Sequence, residues 1–146
     1  MRIPQIKNFL IDHYFRNRET AVCLLGAPGI GKSVGVQEAG EEIAKKLKLP
    51  FIDYDDQQGE EILSSGRECF VFHNLPLVEC EPSDLTGIPK ENAHGCVRFT
   101  PLMWAKVMSK NPGILFLDDF LDVQREDLFS AAYKITLERR AGYIRL

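Results

Sequence analysis

The segment Gly26–Ser33, with the sequence GAPGIGKS, constrains the fold of this chain more than any other feature, because it fits the pattern GxxxxGK[ST]. The apolar run Ala21–Leu25 precedes it, and apolar positions at helical spacing follow it from Ser33 to Lys48. Glycines let backbone N–H groups converge on an anion, and a helix start adds free N–H groups and a positive dipole end. The sequence therefore predicts a buried parallel strand, a phosphate-binding loop and a helix, in that order.

Within this loop, two side chains have separate expected roles. Lys32 places a positive charge at the β- and γ-phosphates of a nucleotide, and the Ser33 hydroxyl can bind Mg²⁺. A glycine-rich turn that precedes Lys-Ser by chance is the alternative, and the flanking strand and helix patterns count against it. The residues predicted to bind the cofactor are Gly26, Ala27, Pro28, Gly29, Ile30, Gly31, Lys32 and Ser33.

A second motif, Gly113–Asp119, is an apolar strand that ends in two carboxylates. Asp118 is predicted to hold Mg²⁺ through water, so that Ser33 and Asp118 form the metal site. Asp119 is predicted to orient or activate the attacking water. The predicted catalytic residues are therefore Lys32, Asp118 and Asp119, with ordinary solvated loop carboxylates as the alternative.

The remaining pattern alternates helices and strands, which predicts an α/β fold with a parallel sheet flanked by helices. An opening helix carries Ile3, Ile6, Leu10 and Tyr14 on one face and ends at residues 17–20. Further strands are expected at Phe51–Tyr54, Cys69–His73 and Ile114–Asp118, with an extended segment at Gly142–Leu146. Further helical segments are expected at Glu60–Ser64, from Pro82, from a Thr100-Pro101 cap to Met108, and after a cap at Asp122.

Composition excludes several classes of protein. The chain has 146 residues, of which 18 are Lys or Arg and 21 are Asp or Glu, a net charge of −3 that does not favour nucleic acid as the main partner. Its apolar runs are shorter than a membrane span, and its first residues lack the apolar core of a signal peptide, so we expect a cytoplasmic protein. The cysteines form no CxxC pair; scattered reduced thiols are favoured over a zinc site at Cys69, Cys80, His94 and Cys96.

In its motifs and their order, the chain resembles the AAA+ ATPases, and most closely their MoxR-like branch. The resemblance covers nearly all of residues 1–146 and is carried by GAPGIGKS, by EPSDLTGIP at Glu81–Pro89, by FTPLMWAKV at Phe99–Val107 and by GILFLDDF. It implies a three-layer P-loop NTPase core, with a leading helix at residues 1–20 and a helix-2 insert at residues 83–100. Within that insert, Lys90–Arg98 would form a projecting hairpin, and Ala141–Leu146 would begin the hairpin before the sensor-1 strand.

The resemblance also implies an activity: ATP binding and Mg²⁺-dependent ATP hydrolysis, coupled to remodelling of protein partners by a homo-oligomeric ring, a hexamer. Two departures accompany it. The family has Asp-Glu where this chain has Asp118-Asp119, and the shorter Asp119 side chain puts hydrolysis, though not binding, in question. The family's sensor-1 strand, arginine finger and lid would follow Leu146, so the chain is expected to be the N-terminal part of the domain, with a sheet incomplete at its C-terminal end.

Two other functions remain open: a nucleotide-binding module that does not hydrolyse, and a small-molecule P-loop kinase. Two interpretations of Arg139 and Arg140 remain open: they are charges that cap the C-terminal end of the last helix, or they are arginine fingers that reach the nucleotide of a neighbouring subunit. Trp104 is predicted to be core, and His73 has no catalytic partner in the sequence. The cluster Lys45, Lys46 and Lys48 is interpreted as solvent-exposed charge at the C-terminal end of a helix rather than as a nucleic-acid contact.

Overall fold

A computed structural model of the chain describes residues 3–27 and 29–146. The helices described are α1 (Ile3–Asn17), α2 (Lys32–Leu47), α3 (Asp56–Ser65), α4 (Ser83–Thr86), α5 (Met103–Met108) and α6 (Glu126–Glu138). The strands are β1 (Phe51–Asp53), β2 (Phe70–Pro76), β3 (Ile88–Glu91), β4 (Val97–Thr100), β5 (Gly113–Asp118), β6 (Arg140–Ala141) and β7 (Ile144–Arg145). Short 3-10 turns occupy Leu77–Glu79 and Phe120–Asp122.

The central sheet is parallel and has three strands in the order β1-β2-β5. Phe51 of β1 pairs with Phe70 of β2, and the β2–β5 register runs from Val71 opposite Gly113 to Pro76 opposite Asp118. The carboxyl ends of all three strands therefore lie at one edge of the sheet, which confirms the predicted α/β class.

Helices cover both faces of this sheet because successive side chains of each strand point to opposite faces, and both faces carry apolar residues. On one face, buried Phe70 packs with Ile43 and Ala44 of α2, and Ile11 and Tyr14 of α1 pack against this cluster. On the opposite face, apolar side chains of β2 and β5 pack against α3, α5 and α6; the buried members are Ile62, Val71, Leu75, Trp104, Val107, Leu128, Ala132 and Ile135. Trp104 is core, as predicted, and its indole N–H donates to the carbonyl of Asp84 at 3.1 Å.

The two helices on the first face lie side by side in the same direction. Ile3, at the start of α1, lies against Gly31 and Gly35 at the start of α2, and Lys7 forms an ion pair with Glu38 at 3.9 Å. Ile6 is 3% exposed and also contacts Gly35. The opening helix predicted from Ile3, Ile6, Leu10 and Tyr14 is therefore confirmed, and it supports the beginning of α2.

The prediction of a buried parallel strand at Ala21–Leu25 is wrong. The segment has no regular secondary structure, and none of its backbone groups pairs with another strand in the described structure. Cys23 is exposed rather than buried, and Leu25 is 76% exposed. A strand forms only where its backbone groups can form hydrogen bonds with a neighbouring strand. This segment instead borders a groove of about 240 Å³, which Ile6 and Phe9 of α1 also line.

Two predicted helix starts are also wrong. Thr100 does not cap α5, because it is the last residue of β4 and pairs with Ile88 of β3; the cap position is Leu102. Asp122 does not cap α6 either, since it ends the 3-10 turn Phe120–Asp122, and α6 begins after Arg125. At Thr100, strand pairing overrides the helix-capping tendency of the side chain. At Asp122, the 3-10 turn does so.

Two antiparallel hairpins complete the described structure: β3 with β4, and β6 with β7. The first spans the segment at which the resemblance implies a hairpin, Lys90–Arg98, and its strands expose Ile88 and Val97 to solvent. The second covers the segment predicted to be extended at Gly142–Leu146. None of the described helices is long and apolar enough to cross a membrane.

Candidate functional site

The segment Gly26–Ser33 leads directly into α2, as predicted. Gly29 and Gly31 have φ values of +76° and +82°, a region that favours glycine. Gly31 occupies the N-cap position of α2, and no described side chain caps this helix start. Its first N–H groups are thus available to an anion, together with the positive end of the helix dipole. Pro28, which the sequence also places in the binding loop, lies outside the described residues.

Lys32 is the first residue of α2, and its side chain turns back over the loop. Its Nζ atom donates hydrogen bonds to the carbonyl oxygens of Gly26 at 2.7 Å and Ala27 at 3.2 Å. A lysine so held carries its charge at the mouth of the loop, where phosphate oxygens would compete for the same N–H donors.

Ser33 and Asp118 meet in space, although 85 residues separate them in the chain. The Ser33 hydroxyl donates to Oδ2 of Asp118 at 2.9 Å, and the backbone N–H of Asp119 donates to Oδ1 of Asp118 at 3.0 Å. Asp118 is half-buried at the end of β5. A hydroxyl and a carboxylate are oxygen ligands of the kind that Mg²⁺ prefers, so the predicted metal pair fits this cation.

Asp119 lies beside this pair but differs from it in environment. Its backbone is left-handed, with φ 55° and ψ 32°, and its carbonyl accepts from Asp122 at 3.0 Å in the turn after β5. The residue is exposed. Aspartate tolerates left-handed backbone better than most residues with a β-carbon, so this turn favours Asp over Glu at position 119.

Three polar residues that the sequence did not predict lie on the same side of the sheet. Gln37, one helical turn after Ser33, donates through Nε2 to Oδ2 of Asp53 at 3.4 Å. Asp53 ends β1, and exposed Asn74 on β2 occupies the face that also carries Phe70 and Phe72. Ser33 and Gln37 thus reach the two outer strands, with Asn74 on the strand between them. We call Gln37, Asp53 and Asn74 a row of polar residues. The sequence signal from which this row could have been predicted is the occurrence of polar residues toward the carboxyl ends of strands.

The charge of this edge bears on what it can bind. Asp53 and Asp118 contribute carboxylates at the ends of β1 and β5, Asp119 follows Asp118, and Lys32 contributes a positive charge beside the loop. A polyphosphate would be repelled by such a set unless a divalent cation accompanied it. Any polyphosphate bound at this edge would therefore be expected to carry a divalent cation.

His73 lies on the opposite face of the sheet, away from Ser33. Its ring packs 4.6 Å from the Tyr54 ring and 5.6 Å from the Trp104 ring, measured between centroids. The Nε2 atom is buried without a hydrogen-bond partner, and burial lowers the pKa of His73 to about 4. His73 is therefore a neutral core residue and not part of the site.

The other predicted alternatives lie outside the site. Arg139 forms an ion pair with Glu19 of its own chain at 3.7 Å, and Arg140 is an exposed residue of β6. Lys45 pairs with Glu42 at 3.1 Å on the solvent side of α2. All four cysteines are free thiols, and among the described residues no three His, Cys, Asp or Glu side chains come together as a metal site.

Comparisons with protein-family models, with curated proteins and with solved structures find no match to this chain.

Proposed function

We propose that this chain binds ATP with Mg²⁺ at Gly26–Ser33 and hydrolyses it. The observation that carries the proposal is the 2.9 Å hydrogen bond between Ser33 and Asp118, because it joins the two motifs that the sequence assigns to phosphate and metal. Two left-handed glycines and the uncapped start of α2 support it.

Each residue of the site has a separate task in this proposal. The N–H groups at the start of α2 hold the phosphates, and Lys32 moves its amine from the Gly26 and Ala27 carbonyls to the β- and γ-phosphate oxygens. Ser33 directly, and Asp118 by way of water, would hold Mg²⁺, which would neutralise charge on the phosphates when bound.

Hydrolysis then requires a water molecule in line with the γ-phosphate. Asp119 accepts a hydrogen bond from this water and takes its proton as the oxygen attacks phosphorus. The bond from the γ-phosphorus to the bridging oxygen breaks, and ADP and inorganic phosphate leave. Because Asp119 is exposed, its carboxylate can turn toward the γ-phosphate without leaving a buried pocket.

By resemblance, we propose that the chain is the ATP-binding core of a MoxR-like AAA+ ATPase, a P-loop NTPase. It would act in the cytoplasm as a homo-oligomeric ring, a hexamer, that remodels protein partners. The exposed apolar residues of the β3–β4 hairpin, Ile88 and Val97, support contact with another protein surface.

A second candidate is a nucleotide-binding module that does not hydrolyse. The observation that favours it is the backbone of Asp119, which places this shorter carboxylate in a left-handed turn at the surface. Both candidates use the same binding residues, and they differ in whether inorganic phosphate is released.

Calorimetry with Mg-ATP, combined with an assay of phosphate release in the same samples, tests both candidates. We expect Lys32→Ala to abolish binding and Lys106→Ala to leave it unchanged, since Lys106 is an exposed lysine on α5, outside the site. If the folded wild-type chain and the Lys32→Ala chain bind Mg-ATP equally well, the phosphate-loop assignment is refuted.

Phosphate release separates the two candidates. A rate that Asp118→Ala abolishes supports the ATPase, whereas binding without release by the assembled protein supports the non-hydrolysing module. Transfer of labelled phosphate to an added metabolite rather than to water would overturn both in favour of a kinase.

A further inference from the structure

We propose that Ile3, on the first turn of α1, is a positioning residue for the phosphate loop, so that α1 sets the affinity of the chain for nucleotide. This inference rests on the proposed function, which it deepens by assigning control of the loop to a helix outside both motifs. The contact between Ile3 and Gly31 carries it.

Gly31 is enclosed on the side where a side chain would project. A β-carbon built on Gly31 would lie 2.7 Å from Cδ1 and 3.3 Å from Cγ1 of Ile3. Gly31 combines this contact with its φ of +82° and its position as N-cap of α2. Ile3 therefore fills the space next to Gly31, the residue at which the loop ends and α2 begins.

Gly35 extends the same contact by one helical turn. Its β-carbon position lies 3.5 Å from Cγ2 of Ile3 and 3.6 Å from Cγ2 of Ile6, which is ordinary van der Waals contact. The N–H of Gly35 donates to the carbonyl of Gly31 at 2.9 Å, which closes the first turn of α2. Two glycines thus let the start of α1 approach the backbone that would face the phosphates.

The physical consequence is preorganisation of the backbone at Gly31, where the loop meets α2. Residues 26–31 hold three glycines, and glycine loses more conformational freedom than any other residue when it is fixed. A loop held in its binding conformation before the ligand arrives loses less entropy on binding, which raises affinity. Ile3 restricts Gly31 from one side, while Ile30 lies over Gly26 on the other.

The chain offers a matched control on the same helix. Ile11 is half-buried on α1 and packs near Ile43, Ala44 and Phe70, at the far end of α2 from the loop. Ile3→Ala and Ile11→Ala remove the same atoms from the same helix, but only the first faces the loop. A merely structural role of Ile3 predicts equal effects of the two substitutions on nucleotide affinity.

Mg-ATP affinity is measured by calorimetry well below the unfolding temperature of each variant. We expect Ile3→Ala to weaken binding on the order of tenfold, Ile3→Val to restore most of it, and Ile11→Ala to leave it within twofold of the wild-type chain. Equal weakening by Ile3→Ala and Ile11→Ala, or an unchanged affinity in Ile3→Ala, would overturn the proposal.

Amide hydrogen exchange without nucleotide separates this inference from the proposed function. We expect Ile3→Ala to speed exchange at the N–H of Gly35, while Ile11→Ala does not. If the wild-type chain fails to bind Mg-ATP but shows this difference, the proposed function fails and the positioning of the loop by Ile3 stands. Equal exchange in both variants overturns the positioning role, whether or not nucleotide binds.

Discussion

The Ser33 hydroxyl and the Asp118 carboxylate form a direct 2.9 Å hydrogen bond that closes the space between α2 and β5. A cation ligated by Ser33 and held by Asp118 through water would replace this bond. Under the proposed function, the two residues would therefore stabilise the chain through this hydrogen bond without nucleotide and through the shared cation with it.

We expect Ser33→Ala to lower the free energy of unfolding of the nucleotide-free chain by about 1 kcal/mol, because it removes one hydrogen bond. We also expect it to remove most of the Mg²⁺ dependence of ATP affinity. Chemical denaturation and calorimetry, each with and without Mg²⁺, measure the two effects. Ser130→Ala, at an exposed position on α6, is the control and should change neither. A Ser33→Ala chain that still binds ATP more tightly with Mg²⁺, to the wild-type extent, would contradict the assignment of Ser33.

Asp119 allows hydrolysis to be separated from binding. Asp119→Asn keeps a residue that tolerates the left-handed backbone and removes the charge that accepts a proton. We expect unchanged Mg-ATP affinity and phosphate release reduced at least about 100-fold, the contribution typical of a general base. Single-turnover phosphate release is the measurement. Release at the wild-type rate would show that Asp119 is not the base.

His73 makes stability depend on pH. Its pKa of about 4 in the folded chain lies below the ordinary value of 6.5, so the unfolded chain takes up the proton first as the pH falls. We expect the free energy of unfolding to fall by about 3 kcal/mol between pH 7 and pH 4 through this group, and the loss to level off once the pH is well below 4.

Urea unfolding followed by the fluorescence of the single tryptophan, Trp104, tests this expectation. His73→Phe should lose less stability on acidification than the wild-type chain, whereas His94→Gln, at an exposed histidine, should lose as much. Parallel pH profiles for all three chains would exclude His73 as the source.

Gly113 permits β5 to approach β2. A β-carbon at Gly113 would lie 2.1 Å from the carbonyl oxygen of Val71, which belongs to the paired strand. We expect Gly113→Ala to cost about 3 kcal/mol of stability, in the range of overpacked cores, and to weaken nucleotide binding by moving Asp118.

Gly66→Ala is the comparison for this prediction. Gly66 has a φ of +62° but no atom within 4 Å of its β-carbon position, so we expect only the backbone cost of about 1 kcal/mol. Thermal unfolding ranks the two variants. A Gly113→Ala chain as stable as Gly66→Ala would show that the two strands separate at little cost.

Local patterns predicted the elements whose formation is decided by nearby residues. The 3.6-residue spacing of Ile3, Ile6 and Tyr14 specified α1, which buries one face. The continuous apolar run before Asp118 specified β5, because a parallel strand covered by helices packs apolar side chains on both faces. The glycines before Lys32 likewise predicted a loop that enters a helix.

Features that depend on pairing could not be predicted in this way. Val22 and Leu24 have the composition of a strand, but whether a strand forms depends on a neighbour that sequence order does not reveal. Thr100 has the chemistry of a helix cap, yet its pairing with Ile88 places it in β4. The row formed by Gln37, Asp53 and Asn74 depends on sheet register, which becomes known only from the fold.

In the described structure β5 pairs with β2 alone, so the strand that carries Asp118 is a border strand. Every second amide of β5 points away from β2 and has no strand to protect it, which should give an alternating pattern of fast and slow hydrogen exchange along Gly113–Asp118. The carboxylate in contact with Ser33 is thus anchored by one ladder of hydrogen bonds. Any polypeptide that adds a strand to this border would stiffen the end of β5 that carries Asp118 without contacting Ser33.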